Sequence, residues 1–479
     1  MEKIVIYSLN FMNLKSKHAN FALFLVFVFL LAAAVSVKAD AADEYVRAQM
    51  RERHIPGAAI AVVKDGKIVK ADSYGLANVE LNVPVNKETV FEIGSVSKQI
   101  TAAAIMLLVE EEKVNLDEKI SKYLPAAPET WKNVTVRNLL THTSGIKSYT
   151  GLSGFELTKR LKRDEFVKSI GTHPLEFEPG ERYNYSNSGY NLLGFIIESV
   201  SGESYWDFLQ KRIFKPLGMN KTANRDPQFI VPNRADGYEW RNERLVGRDY
   251  DLTDVFSAGA IVSTVTDLAK WEAALRGDTF LKKESKETIW TPVRFNSGKL
   301  YPYGLGWNVT EFRGHKLFSH GGQTAGFAAN ISRYVDDNLT VIVLTNLGDQ
   351  GLGTMIARGI AKIYLPDISL RAMKEQKSAD ANTTKQMQNA LRSYLEEKLN
   401  ADSFTDRIRA SLTTERAKLN ARRIASYGAI KNFVLVGNET ADKNKIYRYK
   451  VETASRIFLW RFELDENGKI TALVLEEEE

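Results

Sequence analysis

The stretch FEIGSVSKQITAAAIMLLVEEEKV, residues 91–114, decides how the chain is read. A short extended piece ends at Gly94, and from Ser95 the pattern changes to a helix whose alanines and leucines cover one broad face. Ser95 therefore stands at the first turn of a helix, where backbone N–H groups lack an intrahelical partner and point toward negative charge. Lys98, three residues on, falls on the same face. The apolar run that follows it holds the helix start against a core, and burial disfavours the charged form of an amine. An amine held neutral beside a hydroxyl can take its proton, so Ser95 and Lys98 read as a nucleophile and its base. The bland alternative for S-x-x-K is an N-cap serine and a solvated lysine. The core-forming context argues against it.

Outward from this helix, AAIAVVKDGKIVKADSYG (58–75) predicts a hairpin turning at Lys64-Asp65-Gly66. Residues 116–290 read mostly as helices and long loops, one helix beginning near Thr266-Asp267 with the threonine as cap. Strand signals return at 301–310, 315–322, 325–335 and 339–347, and a helix at 353–364 follows. Strands at both ends of a helical middle predict an α+β fold: one antiparallel sheet closed from both termini, flanked by helices, with a mainly helical insertion. This domain is expected to span 43–368. The polar stretch KEQKSADANTTK (374–385) marks a linker over 369–385. Beyond it, helical patterns at 387–399 and 412–424 and four short strands predict a small α+β domain over 386–479, similar to NTF2-like or cystatin-like folds.

The 479 residues contain no cysteine, which excludes disulfides, thiolate metal sites and a cysteine nucleophile. A net charge of +6 over this length, without clustering, gives no footprint for nucleic acid. His315 and His320, five apart in strand-like sequence, would face opposite sides, so no metal pair is expected there. Residues 1–39 read as a secretory signal: Lys15 and Lys17, an apolar run from Phe21 to Val35, and a small residue, Ala39, near the cut. The run is short for a membrane span, although an uncleaved anchor is the rival reading. A periplasmic or secreted protein without a stable membrane span is expected.

Two further elements carry chemistry. PGERYNYSNSGYNLLG (179–194) places Tyr185-Ser186-Asn187 in a polar loop before an apolar helix, where a phenol can face the serine and an amide the substrate. Tyr183, Asn184 and Tyr190 remain open alternatives by chemistry alone. His320-Gly321-Gly322 ends a strand signal, and its glycines let backbone approach a ligand closely. The next amide, that of Gln323, can serve as a second oxyanion donor.

The order S-x-x-K, Y-x-N, H-x-G resembles the serine β-lactamase and penicillin-binding-protein-like hydrolases, and most of all the branch with class C β-lactamases, D-aminopeptidases, DD-peptidases and related esterases. The resemblance spans about 45–365 and includes VTVRNLLTHTSGI (135–146), FSAGAIVSTVTDLAKW (256–271), YGLGW (303–307) and FSHGGQTAGF (318–327). It implies Ser95 as nucleophile, Lys98 as its partner, and Tyr185 as the tyrosine sharing base work and protonating the leaving group. It further implies Asn187, His320 and Gly322 as substrate-binding residues, the amides of Ser95 and Gln323 as the oxyanion hole, and no metal or organic cofactor. The substrate would be a small molecule or short peptide, including cell-wall-derived ones.

Where many relatives carry K-T-G, this chain has His320-Gly321-Gly322, which lacks a permanent cation and a hydroxyl for a substrate carboxylate. The expected activity is therefore an esterase or D-amino-acid-specific peptidase acting through a serine acyl-enzyme. The alternatives are a class C-like β-lactamase and a catalytically silent penicillin- or peptidoglycan-binding module. An arginine from the loops between 225 and 250 is the candidate replacement for the missing charge.

Overall fold

The computed structural model describes residues 41–152, 162–248, 252–376, 381–441 and 443–479, so the segment read as a signal lies outside the described residues. The chain divides into a first unit ending at Tyr364 and a second from Leu365 to Glu479. In the first, a helix over residues 41–53 (α1) leads into β1 (Gly57–Lys64), β2 (Lys67–Asn78) and a short β3 (Val83–Pro84). Three long helices follow: α2 (Ser97–Glu110), α3 (Asn187–Ser201) and α4 (Val265–Arg276). Then come β4 (Asn308–Phe312), β5 (His315–Thr324), β6 (Phe327–Tyr334), β7 (Leu339–Thr345) and α5 (Leu352–Tyr364).

The seven strands form one antiparallel sheet in the order β4-β5-β6-β7-β1-β2-β3. Its first and last strands in the chain meet where Ala58 to Lys64 run opposite Thr345 to Leu339. This is the predicted sheet closed from both ends. The alternation of a strand gives it two faces. The row Ala59, Leu344 and Ala329 joins the large core that contains Ile100 of α2 and Trp271 of α4. The row Ile60, Val343 and Asn330 faces the other way, and Asn330 Nδ2 donates to Thr354 Oγ1 of α5 at 2.9 Å. With both faces covered, β6 and β7 are buried at every position; β7 is nearly all apolar, and in β6 the buried Ser332 hydroxyl donates to Asn330 Oδ1.

Three local readings differ from the structure. Residues 97–108 of α2 are buried all round rather than on one face, since SKQITAAAIMLL carries no charge besides Lys98. The α-helix starts at Ser97, and Ser95 lies on a preceding 3-10 turn, Gly94–Val96. The segment 301–310 is not one strand, because Tyr303, Leu305 and Trp307 turn inward and are buried before β4 begins at Asn308.

The second unit holds α6 (Ala381–Leu395), α7 (Asp406–Leu412) and α8 (Glu415–Ala425). They are followed by an antiparallel meander of β8 (Asn432–Ala441), β9 (Asn444–Glu452), β10 (Ile457–Leu464) and β11 (Ile470–Glu478). Met387 and Leu391 of α6 pack with Tyr449, Phe458, Trp460 and Phe462 of the sheet in a core of their own. Part of the stretch read as linker is structured: α6 already begins at Ala381, and Leu370 is fully buried against Val436 and Leu459. Among the described residues no helix is long and apolar enough to cross a membrane.

The cap of α4 is Thr264, whose side chain accepts from the Asp267 N–H, and not Thr266, the residue the sequence suggested. Replacing an N-cap threonine by alanine typically costs about 1 kcal/mol. Urea unfolding of Thr264→Ala should show that loss, and Thr266→Ala a clearly smaller one. Equal losses would place the cap elsewhere.

Candidate active site

The turn that carries Ser95 and strand β5 touch backbone to backbone. Gly94 has φ +50°, and a Cβ there would lie 2.6 Å from the Gln323 nitrogen. A Cβ on Gly322 would collide with the Ile93 carbonyl and come within 3.1 Å of the Ser95 nitrogen. Glycine at both positions lets the contact form, and it sets the main-chain nitrogens of Ser95 and Gln323 on its two sides. Gly322 pairs with Ala329 and His320 with Ile331, so alternation puts 320 and 322 on the face that meets the serine.

Lys98 is fully buried, and its Nζ has three neighbours: Ser95 Oγ at 3.1 Å, Asn187 Oδ1 at 2.8 Å and the Ala258 carbonyl at 2.7 Å. Burial holds the amine well below its ordinary pKa, and no carboxylate among the described residues opposes that. A neutral amine has two protons and one lone pair. The two carbonyl oxygens can only accept, so they take the protons and turn the lone pair toward Ser95 Oγ. The Ala258 carbonyl arrives on a strained turn, where Phe256 adopts φ 44° and ψ −129°. Hydrogen bonds from Thr101 Oγ1 to the Ser257 carbonyl (2.7 Å) and from Ser257 Oγ to the Tyr190 carbonyl (2.9 Å) hold that turn.

Tyr185 lies beside Ser95 in the wall of the cleft, and its ring lies 4.8 Å from Lys98 Nζ. Burial raises its phenol above the ordinary range, so it stays protonated at neutral pH and can donate. Asn187 opens α3, and its Nδ2 donates to Thr150 Oγ1 at 3.3 Å while its carbonyl serves Lys98. The remaining polar neighbours separate by position. Tyr190 is buried and donates to the Leu140 carbonyl at 2.8 Å. Asn184 turns away to Glu176, and Tyr183 lines the cleft while stacked on Tyr301. Ser97 points into the core and accepts from the Ile261 N–H at 3.3 Å.

The structure thus brings Ser95, Lys98, Tyr185, Asn187, His320, Gly322 and Gln323 to one place. Above them opens a cleft of about 500 Å³, lined by Ser95, Tyr183, Tyr185, Tyr303, His320 and Gln323, with Asn308, Gln350 and Thr354 at its sides. Among the described residues, none that lines the cleft carries a formal charge at neutral pH. His320 is 5% exposed, with Nδ1 against the Gly321 carbonyl at 2.6 Å and Nε2 against Tyr303 Oη at 3.0 Å. Burial pushes its imidazole down to about 4. The loop arginines do not supply the missing cation: Arg225 pairs with buried Glu92, Arg234 with Asp236 and Arg248 with Glu239, and none lines the cleft. Among the described residues no cluster of three or more histidine, aspartate or glutamate side chains is placed to hold a metal ion.

Four participants carried no assigned role in the sequence: Ala258, His142, Tyr303 and Thr150. Ala258 and His142 lie in FSAG and THTSG, stretches whose composition points to loops, and Tyr303 opens YGLGW, within a segment read as strand; Thr150 lies in an exposed turn. The first three contribute a carbonyl, a buried ring and a buried hydroxyl, none of which has a spacing rule.

The depressed His320 pKa makes stability depend on pH. As pH falls through about 6.5 the unfolded chain takes a proton that the folded chain refuses until about 4. The contribution is therefore full above about 6.5 and is lost toward 4, at up to about 1.4 kcal/mol per pH unit. Urea midpoints at pH 7, 6 and 5 should fall less steeply in His320→Gln than in the wild type. Parallel slopes would mean that His320 titrates normally.

Residues 42–364 match the family described as Beta-lactamase. Penicillin-binding protein 4* of Bacillus subtilis (strain 168) is 33% identical over 314 residues, which cover 62% of this chain and 69% of that protein. The octameric penicillin-binding protein homologue from Pyrococcus abyssi superposes with a TM-score of 0.62 at 25% identity, covering 90% of this chain and 94% of that one. The D-amino acid amidase from Ochrobactrum anthropi SV3 gives a TM-score of 0.59 at 25% identity, covering 70% of this chain and 98% of that one. A match over two thirds of the sequence, joined to this fold, shows that the chain belongs to the Beta-lactamase family of serine hydrolases.

Proposed function

We propose that the chain hydrolyses esters and D-amino-acid amides or short D-peptides through an acyl-enzyme on Ser95, and that it does so outside the cytoplasm. The observation that carries this reading is a cleft that, among the described residues, is lined without formal charge, above a serine whose buried lysine neighbour has no carboxylate partner among them. Ser95 Oγ attacks the substrate carbonyl carbon and passes its proton to Lys98 Nζ. The oxyanion sits between the amides of Ser95 and Gln323, each such donor typically worth about 2.7–4 kcal/mol in the transition state. Tyr185 gives its phenolic proton to the leaving oxygen or nitrogen, and the proton that Lys98 took from Ser95 returns to the phenolate. Water then attacks the Ser95 ester, its proton passes to the same pair, and the acid leaves as Ser95 is reprotonated.

Substrate class follows from charge. A D-Ala-D-Ala terminus or a penicillin brings a carboxylate that needs a cation, and a neutral His320 supplies none. An ester or an amide needs only neutral hydrogen bonds, and the likeness to a D-amino acid amidase agrees with that class. The second unit is read as an NTF2-like or cystatin-like module, three helices against a four-stranded meander. The coverage of the Pyrococcus protein extends beyond the first unit. Since that protein is octameric, self-association is the role proposed for the module.

The test is turnover of short-chain nitrophenyl esters and D-amino-acid amides, with benzylpenicillin followed by intact mass. Ester and D-amide hydrolysis should fall at least about a thousandfold in Ser95→Ala and persist in Ser97→Ala. A Ser95→Ala protein that kept near-wild-type turnover would sink the assignment. Fast hydrolysis of several penicillins would instead make the chain a β-lactamase, and no covalent adduct with any substrate would make it a binding module.

A further inference from the structure

Two imidazoles and a phenol form a chain beneath the cleft, and backbone groups at its ends fix where the protons lie. His142 Nδ1 sits 3.1 Å from the Ser186 N–H, which can only donate, so Nδ1 bears the lone pair and Nε2 the proton. His320 Nδ1 sits 2.6 Å from the Gly321 carbonyl, which can only accept, so Nδ1 bears the proton and Nε2 the lone pair. The Tyr303 hydroxyl bridges them, 3.2 Å from His142 Nε2 and 3.0 Å from His320 Nε2. One arrangement satisfies every atom: His142 Nε2–H donates to Tyr303 Oη, and Tyr303 Oη–H donates to His320 Nε2. Tyr190 also faces Tyr303, but its own proton goes to the Leu140 carbonyl, so the direction stands.

We propose that Tyr303 and His142 are positioning residues that hold His320 neutral, with its Nδ1 protonated and its Nε2 already filled, so that the cleft selects substrates uncharged at the group facing β5. This rests on the reading of the cleft as a site for neutral esters and amides. It goes further by naming what enforces that preference: a hydroxyl that occupies the only atom through which His320 could bind an anion. A histidine free at Nε2 would be protonated as pH falls and would then bind a carboxylate as a lysine does.

The surroundings of His320 favour the neutral ring from every side. Burial favours the neutral ring, and Lys98 of α2 and His142 are themselves held neutral by burial, so neither offers His320 a counter-charge. Tyr185 ahead of α3 and Tyr190 within it present phenols that burial keeps protonated. Tyr303 does the same from the loop before β4. Its own strand contributes Gly321 and Gly322, and the facing strand Ile331. No carboxylate among the described residues stands beside it to favour a charge.

Nitrogen-15 histidine spectra of the full chain read the tautomers directly. The six histidines are few enough to assign with His320→Gln and His142→Gln. His320 should show a protonated Nδ1 and a bare Nε2, His142 the reverse, and both patterns should hold from pH 8 to 5.5. An Nε2–H form or an imidazolium at His320 in that range would overturn the proposal, whatever the chain hydrolyses. The second arm is Tyr303→Phe, assayed on two esters that differ only in a free carboxylate or its methylamide. The wild-type ratio of kcat/KM for the pair should stay flat over this range. In the variant it should move toward the carboxylate by about fivefold or more on acidification, as His320 becomes titratable. Fluorophosphonate labelling of Ser95 in the same sample reports that the variant is folded. A labelled variant with a flat ratio would contradict the role given to Tyr303. Loss of turnover on both esters in the wild type would count against the ester and amide reading alone, because the spectra do not depend on it.

Discussion

A lysine amine sealed from solvent, with carbonyl oxygens at 2.7 and 2.8 Å and a hydroxyl at 3.1 Å, cannot hold a proton as it would in water. Taking a charge out of water costs several kcal/mol unless a counter-charge compensates, and carbonyl dipoles compensate only in part. Neutralisation is the cheaper outcome. It then matters that the two carbonyls are rigid acceptors, since they consume both N–H bonds and leave one direction for the lone pair. The aim of that lone pair at Ser95 is a consequence of where Ala258 and Asn187 are held.

Much of the first unit serves to hold them. The all-round burial of α2 seals Lys98, and it is possible because the helix packs between the sheet and α3 rather than on the surface. The turn at Phe256 carries an unfavourable φ so that the Ala258 carbonyl can reach the amine. Glycines at 94 and 322 let the nucleophile's turn lie directly on β5. Among the described residues the cleft lacks formal charge, and in the proposed arrangement the buried chain from His142 through Tyr303 keeps His320 from acquiring one.

The sheet was legible in the sequence because its strands are apolar runs bounded by turn residues, and closure from both termini followed from their order. Ser95, Lys98, Tyr185 and Asn187 were legible because short spacings on a helix or before one place side chains together. What escaped was tertiary. The Ala258 carbonyl is a backbone atom that any residue would present. Tyr303 lies in a segment read as strand, and only its inward turn puts the hydroxyl between two histidines 178 positions apart. The cap at Thr264 was misplaced by two residues because Thr264 and Thr266 are equivalent by type, and only the backbone at 264 is extended. His320 was read as a substrate-binding residue lacking a permanent charge; burial goes further and holds it neutral well below neutral pH.

The most direct test of the account is the rate at which a fluorophosphonate labels Ser95, followed by intact mass across pH 5 to 10.5. If Lys98 is the buried base, the rate should rise through an acid limb and level off well below the ordinary lysine value of about 10.5. A rate that kept climbing to pH 10, as a solvated lysine would dictate, would contradict it.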